Sequence, residues 1–178
     1  MITVRGKSIE TLFDEKRIAT EVLRVAWEIA ATPTTDLLVV SVLKGSFVFA
    51  ADLIRAMHLT GLAPEVEFIT LSSYGAGTEP GKIRVLRDVE SPVEGRTVLL
   101  IDDILESGRT ISFARDMLLG RGAKEVKIAV LLDKRMRRQA AIEADYVGFD
   151  CPDYFVVGYG MDVAHAFREL PFVGKVVE

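Results

Sequence analysis

The chain has 178 residues, 49% of them hydrophobic, which is enough to bury one sizeable core and requires no second domain. Its formal net charge of −4 excludes general electrostatic attraction to nucleic acid or anionic membranes. Any affinity for phosphate groups must therefore be local.

The cysteine content and the lengths of the apolar runs indicate where in the cell the protein is expected. Cys151 is the only cysteine, so no intrachain disulfide can form. Residues 1–5 lack the apolar core of a secretion signal. The longest apolar runs, such as residues 37–40, are far shorter than the roughly 20 residues of a membrane span. We expect a cytoplasmic protein with no membrane partner.

The first regular element in the chain is an amphipathic helix. Four apolar residues recur at helical spacing: Ile18, Val22, Val25 and Ile29. Asp14 is available as the N-terminal cap, and Pro33 lies beyond the end. Together these signals predict a helix over roughly residues 15–31, whose apolar side faces the core.

A strand and a second helix follow. The uninterrupted apolar run 37–43 predicts a strand buried on both faces, and the apolar spacing from Phe47 to Met57 predicts a helix. Lys44 and Gly45 lie at the junction between them. This junction is either a plain turn or a site where a lysine at a helix start holds phosphate oxygens.

The third strand leads into a long polar segment. Residues 66–71 predict the strand, and residues 72–81 contain three glycines, a proline and almost no apolar surface. The segment has two interpretations. It is a connection to the next strand at 82–86, or it is a lid, because it is longer than most hairpin connections.

The central strand of the chain ends in charge. Four apolar residues, 98–101, predict a buried strand, and Asp102 and Asp103 follow where that strand should end. Carboxylates there are costly unless they are paired or metal-bound. The polar loop 107–110 then opens a helix, which makes a ready anion site. An ordinary turn capped by Ser107 is the alternative, but it leaves the two aspartates unexplained.

The C-terminal third contains one more apolar strand and several short segments. The strand is predicted at 126–132, and the basic cluster 134–138 after it is solvated surface on composition alone, with a weak nucleic-acid patch as the alternative. Segments 146–149 and 155–159 suit a small subdomain. Neither His58 nor His165 has partners at metal-ligand spacing, so no zinc site is predicted.

The alternation of strands and helices predicts an α/β fold. We expect a central parallel sheet with helices on both faces, forming a single domain over residues 1–178. A small hood, built from the N-terminal strand and the segment after about residue 144, should lie beside the sheet. Ligands should bind beyond the carboxyl ends of the strands.

Residues 101–110 resemble the phosphoribosyl pyrophosphate signature of the type I phosphoribosyltransferases. From Leu37 to Val173 the chain is similar, motif by motif and in order, to the hypoxanthine-guanine branch of that family. The resemblance implies the type I phosphoribosyltransferase fold. It also implies transfer of a phosphoribosyl group from phosphoribosyl pyrophosphate to a 6-oxopurine, with Mg²⁺ as cofactor, by a homodimer or homotetramer.

The resemblance implies a set of contacts to phosphoribosyl pyrophosphate: Lys44, Gly45, Asp102, Asp103, Ile104, Leu105, Ser107, Gly108, Arg109, Thr110 and Arg168. It also implies that the peptide before Lys44 is cis. Ser73 and Tyr74 match the pair on the flexible loop that closes over the family's active site.

For the purine, the resemblance implies that Lys134 contacts the six-position oxygen and that Phe155 stacks on the ring. The backbone of Val156 would read the edge of the base. The metal ligands that it implies are Asp102, Asp103 and Asp162.

Glu106 departs from the family pattern, which has aspartate at this position as the base that takes the proton of the purine's five-membered ring. Glutamate adds one methylene. Its carboxylate could serve as the base in an adjusted pose, act through a bridging water, or be a bystander. We expect the first, since Ser107 and Gly108 let the loop adapt.

Two other functions remain open at this point. One is a xanthine-preferring transferase, because the sequence does not determine the preference among hypoxanthine, guanine and xanthine. The other is a phosphoribosyltransferase-like regulator that binds RNA or DNA, which the basic cluster 134–138 would support. The acidic net charge and the lack of an added DNA-binding domain count against it, so no nucleic-acid partner is expected.

Overall fold

The computed structural model describes residues 2–4, 6–72 and 82–177. Its strands are β1 (Ile2–Val4), β2 (Lys7–Phe13), β3 (Leu37–Leu43), β4 (Glu65–Ser72), β5 (Arg84–Arg87), β6 (Thr97–Leu105), β7 (Glu125–Asp133), β8 (Tyr146–Asp150), β9 (Val156–Val157) and β10 (Val173–Val177). The helices are α1 (Glu15–Ala30), α2 (Phe47–Leu59), α3 (Arg109–Gly120) and a 3-10 turn at Arg135–Arg137.

A six-stranded sheet forms the centre of the molecule, in the order β5-β4-β3-β6-β7-β8. Every pair in it is parallel except β4 with β5, where Ser72 faces Arg84 in antiparallel register. The predicted parallel sheet is confirmed, with one antiparallel strand added at its edge. The chain between Ser72 and Arg84 therefore joins neighbouring antiparallel strands.

Helices cover both faces of this sheet, as predicted. Alternate residues of β3 point to opposite sides: Leu37 and Val39 pack with α1 and α2, whereas Leu38 and Val40 pack with α3. Helix α1 begins where the sequence predicts, because the Asp14 side chain accepts a hydrogen bond from the Arg17 amide at 2.9 Å. Its apolar residues are buried as expected.

A second, four-stranded antiparallel sheet has the order β1-β2-β10-β9 and forms the hood. The predicted hood boundary near residue 144 is too early, because β8 pairs with β7 in the central sheet. The reason is packing on both faces of β8. Phe149 stacks on Phe13 with ring centroids 4.0 Å apart, while Val147 packs on the α3 side. The C-terminal part of the hood begins only at β9.

Strand β6 is longer than predicted. It continues through the acidic pair to Leu105, with Asp102 beside Val130 and Leu105 beside Asp133 in β7. The two aspartates therefore lie inside the strand and not after it. Among the described residues, no helix is both long and apolar enough to cross a lipid bilayer.

Candidate active site

Two adjoining cavities lie at the carboxyl edge of the central sheet, where the segments after β3, β6 and β7 meet. The first measures about 280 Å³ and is lined by the β3–α2 junction and the segment from Asp102 to Ile111. The second, of about 300 Å³, lies between that segment and the hood. Three residues line both cavities: Asp103, Ile104 and Glu106. A ligand with two chemically different halves could therefore occupy both.

Most of the predicted site residues line one of the two cavities. The first contains Lys44, Gly45, Asp102, Asp103, Ile104, Leu105, Ser107, Gly108 and Thr110. The second contains Lys134, Phe155, Val156 and Asp162. Two predicted residues line neither cavity: Arg109, which is the exposed first residue of α3, and Arg168. Ser73 and Tyr74 lie outside the described residues.

Hydrogen bonds of a buried serine stabilise the junction between β3 and α2. The Leu43–Lys44 peptide is cis, as the resemblance implies. The buried Ser46 hydroxyl donates to the Val42 carbonyl at 2.5 Å and lies 2.7 Å from the Ser41 hydroxyl. These bonds satisfy the polar groups beneath the turn and leave the Lys44–Gly45 backbone facing the cavity.

Glycine at position 45 is required by a close approach. A Cβ atom there would overlap the carboxylate of Asp103, with Cγ of Asp103 only 2.7 Å away. On the other side, a Cβ on Gly160 would lie 2.5 Å from the carbonyl oxygen of Gly45. The two glycines thus allow three chain segments to meet at the acidic pair.

The acidic pair has an electrostatic environment that favours a cation. Asp102 is only 9% exposed, and burial together with the adjacent Asp103 carboxylate raises the pKa of Asp102 well above its usual value. Burial also raises the pKa of Asp103. Backbone amides satisfy one oxygen of each carboxylate, at 2.9 Å. The remaining oxygens can accept hydroxyl donors or ligate a metal ion.

The loop between β6 and α3 presents the start of a helix to the first cavity. Gly108 precedes α3 with φ of 79°, and a Cβ atom there would lie 2.6 Å from Ile142. The Ser107 hydroxyl accepts a bond from the Arg109 amide at 3.3 Å. Because a helix N-terminus favours negative charge, this edge of the cavity suits a phosphate group.

The second cavity brings cations and an aromatic ring together. Lys134 is 6% exposed, and its Nζ lies 3.7 Å from Oε1 of Glu106. Arg137 approaches the same oxygen at 3.5 Å. Phe155 stays 59% exposed at the hood side of this cavity, which leaves its ring face available to a planar ligand.

Asp162 and Arg168 pair with each other. Arg168 Nη2 lies 2.9 Å from Asp162 Oδ1, and its Nη1 donates to the Gly160 carbonyl at 2.5 Å. The amide of His165 donates to the other Asp162 oxygen at 2.8 Å. In the described part of the chain, no three His, Cys, Asp or Glu side chains converge on one metal position. Asp162 therefore does not form a single cluster with Asp102 and Asp103.

Sequence reasoning missed two arginines at the site: Arg137, which lines the second cavity, and Arg138, which lies next to it. The interpretation of the basic cluster as solvated surface is wrong for two of its members. Lys134 is buried, and the Arg138 side chain is only 12% exposed and donates to the Glu106 carbonyl at 3.0 Å. The available signal was Asp133, at the end of an apolar strand. A carboxylate buried there needs a cation, and the nearby arginines are the candidates.

Comparison with known proteins accords with this geometry. A family model described as the phosphoribosyl transferase domain matches residues 8–164. The chain belongs to the phosphoribosyltransferase family. Relatives and solved structures point to its hypoxanthine-guanine branch, which confirms the resemblance seen in the sequence.

Two curated relatives of this phosphoribosyltransferase match almost end to end. It is 39% identical to the hypoxanthine-guanine phosphoribosyltransferase of Dictyostelium discoideum, over 96% of this chain and 97% of that one. It is 37% identical to the hypoxanthine phosphoribosyltransferase of Escherichia coli strain K12, over 96% of both chains.

Two solved structures are similar in fold. The hypoxanthine phosphoribosyltransferase of Trypanosoma cruzi in complex with the product IMP superposes with a TM-score of 0.89, at 36% identity, covering 99% of this chain and 98% of that one. Another is described as the glutamic acid mutant in an analysis of an invariant aspartic acid in these enzymes. Its TM-score is 0.88, at 38% identity over 96% of both chains.

Proposed function

We propose that this enzyme transfers the phosphoribosyl group of phosphoribosyl pyrophosphate to hypoxanthine or guanine, releasing IMP or GMP and pyrophosphate in purine salvage. The observation that carries the proposal is the pair of cavities joined at Asp103 and Glu106. One cavity has the chemistry to hold a phosphorylated sugar, and the other suits a planar base with a carbonyl group. The names of the relatives agree with this reaction.

The phosphorylated substrate would occupy the first cavity. The 5′-phosphate would accept hydrogen bonds from the loop 107–110 at the start of α3. Asp102 and Asp103 would accept bonds from the ribose hydroxyls, and Lys44 with the Gly45 backbone would hold the pyrophosphate. Arg168 would reach the pyrophosphate from its position beside Asp162.

The acidic pair fits a magnesium ion. Mg²⁺ prefers oxygen ligands and is commonly bound by one or two carboxylates together with waters and substrate phosphates. Asp102 is buried and the adjacent Asp103 is half-buried, and burial raises the pKa of both carboxyl groups, so a nearby cation would stabilise their charged forms. The bound ion would neutralise charge on the leaving pyrophosphate. Asp162 remains the proposed ligand for a second ion.

The purine would occupy the second cavity. Lys134 would donate to the six-position oxygen, Phe155 would cover one face of the ring, and the Val156 backbone would contact its edge. Glu106 lies where the two cavities meet, so its carboxylate would take the proton from the five-membered ring as the new bond forms. The transition state would carry oxocarbenium character at the anomeric carbon, as in glycoside chemistry.

We also propose a homodimer or homotetramer. A groove of about 1160 Å³ runs along α1, α2 and the hood. Large apolar side chains remain exposed along it, including Leu23 at 39%, Phe47 at 45% and Leu59 at 69%. Sedimentation of a 19.6 kDa monomer at assay concentration would contradict an oligomer. The cytoplasmic location expected from the sequence stays a prediction.

The reaction is tested by coupled pyrophosphate release with phosphoribosyl pyrophosphate, Mg²⁺ and a panel of hypoxanthine, guanine, xanthine and adenine. We expect turnover with hypoxanthine or guanine and none with adenine, which lacks the carbonyl that Lys134 would contact. Turnover with xanthine alone would favour the xanthine-preferring alternative. Absence of turnover with every base would refute the proposal.

A further inference from the structure

We propose that Arg138 is a positioning residue: it lies outside the two cavities and holds the backbone of Glu106 in place by a hydrogen bond. This inference rests on the proposed function, in which Glu106 is the base. The Arg138 guanidinium donates through Nε to the Glu106 carbonyl at 3.0 Å and through Nη2 to the Leu105 carbonyl at 3.4 Å. Arg138 lines neither cavity, so it acts through Glu106 and not on a ligand.

The guanidinium is itself fixed on its other sides. Nη1 donates to the Ile142 carbonyl at 2.6 Å, and Nη2 forms an ion pair with Asp133. Asp133 is the last residue of β7, and its side chain is 1% exposed. Nη1 also lies 3.7 Å from the exposed Glu143 carboxylate. A largely buried arginine with these five partners has little rotational freedom, because each N–H is directed by the planar fork. It can therefore hold the backbone it contacts in one position.

Glu106 depends on this support because the sheet ends just before it. Strand β6 stops at Leu105, whose pairing with Asp133 is the last in the β6–β7 ladder. The carbonyl of Glu106 therefore has Arg138 as its partner in place of a neighbouring strand. A glutamate also has one more rotatable bond than an aspartate, so its reach to the purine depends strongly on where its backbone lies.

The next residue is held in a different way. The Ser107 carbonyl accepts bonds from the backbone amides of Gln139 at 2.9 Å and Ala140 at 3.0 Å. These bonds do not involve the Arg138 guanidinium. The aliphatic stem of Arg138 does pack against the loop, since a Cβ on Gly108 would lie 3.0 Å from Cδ of Arg138, but the stem of a lysine keeps that contact. Replacing the guanidinium while keeping the stem, as Arg138→Lys does, should therefore disturb the Glu106 backbone more than the loop proposed to bind the 5′-phosphate. The expected signature is a loss in kcat with little change in the KM for phosphoribosyl pyrophosphate.

The test compares Arg138→Lys with Arg135→Gln. Lysine keeps a cation beside Asp133 but cannot reach both carbonyls and the carboxylate together. Arg135 pairs with the same carboxylate at 2.9 Å, is 66% exposed and contacts neither Leu105 nor Glu106, so it is the matched control. We expect Arg138→Lys to lower kcat by about 10-fold or more, on the scale of a sub-ångström to ångström displacement, and the control to stay near wild type.

A double-mutant cycle with Glu106→Gln separates positioning from general structure. If Arg138 acts through Glu106, Arg138→Lys should change kcat by less than about twofold once Glu106 is already glutamine. Equal loss in both backgrounds would overturn the proposal. So would a kcat of Arg138→Lys equal to that of Arg135→Gln. A wild-type protein with no turnover refutes the proposed function instead, so the two failures are distinguishable.

A second variant applies if Arg138→Lys does not fold. The double variant Asp133→Asn with Arg138→Met removes the buried pair together and leaves no unpaired buried charge from it. It loses the same two carbonyl contacts, so the same fall in kcat is expected from folded protein. Retention of wild-type kcat by this variant would also overturn the proposal.

Discussion

Replacement of Gly45 by alanine tests how tightly the first cavity is built. The added Cβ would lie 2.7 Å from Cγ of Asp103, whereas carbon atoms pack at about 3.5–4.0 Å, so something must move by roughly 1 Å. Either Asp103 turns away or the Lys44–Gly45 backbone retreats. Both movements displace groups proposed to hold the same substrate, whichever relaxation is cheaper.

An ångström-scale displacement at a reacting centre can cost about 100-fold in rate, equivalent to about 2.7 kcal/mol of transition-state stabilisation. We therefore expect Gly45→Ala to lower kcat/KM for phosphoribosyl pyrophosphate by about that factor. The melting temperature should change little, because the contact lies in the cavity and outside the core clusters.

Steady-state kinetics with varied phosphoribosyl pyrophosphate is the assay, with circular dichroism melting alongside. Gly120→Ala is the matched control, since a Cβ there meets nothing within 4 Å and the residue ends α3. A Gly45→Ala enzyme with kcat/KM within twofold of wild type would refute the close-approach argument.

Three further predictions follow from single side chains. Lys134→Ala should raise the KM for 6-oxopurines far more than that for phosphoribosyl pyrophosphate, and equal effects on both would refute its assignment to the base. Glu106→Gln should lower kcat by about 100-fold or more while Glu106→Asp keeps substantial activity, and normal single-turnover rates for the glutamine variant would show that the carboxylate is only structural. Hydrogen bonds from Arg121 hold the pKa of Asp88 below its usual 3.8, so this pair should stabilise the fold by less than about 1 kcal/mol above pH 3.8 and lose that effect as the pH falls through the lowered pKa. Thermal melts of Asp88→Asn and wild type across pH should converge in acid, and a gap that persists there would contradict the pairing.

Much of the fold could be predicted because its signals are local. The apolar run at β3 and the spacing in α1 and α2 each specify an element whose burial the structure reproduces. Two boundaries were wrong for non-local reasons. Strand β6 continues through the acidic pair because its residues pair with β7 as far as Leu105. Strand β8 belongs to the central sheet because Phe149 stacks on Phe13, which is distant in sequence.

The candidate site could be predicted in outline for a different reason. The resemblance assigned most substrate contacts to residues that line the two cavities in the structure. It does not identify residues that lie outside the cavities and support the lining residues. Arg138 is such a residue, because its role depends on a pairing with Asp133 that forms only when the chain folds. Without knowledge of the pairing with Asp133, the composition of residues 134–138 indicates only a solvated surface.

A crystal structure of this enzyme with IMP tests the central claim most directly. We predict that the 5′-phosphate lies against the loop 107–110 at the start of α3. The purine should lie in the second cavity, with its six-position oxygen within hydrogen-bond distance of Lys134 Nζ and its ring over Phe155. A nucleotide bound in the groove along α1 and α2, or with its phosphate and purine exchanged between the cavities, would contradict it.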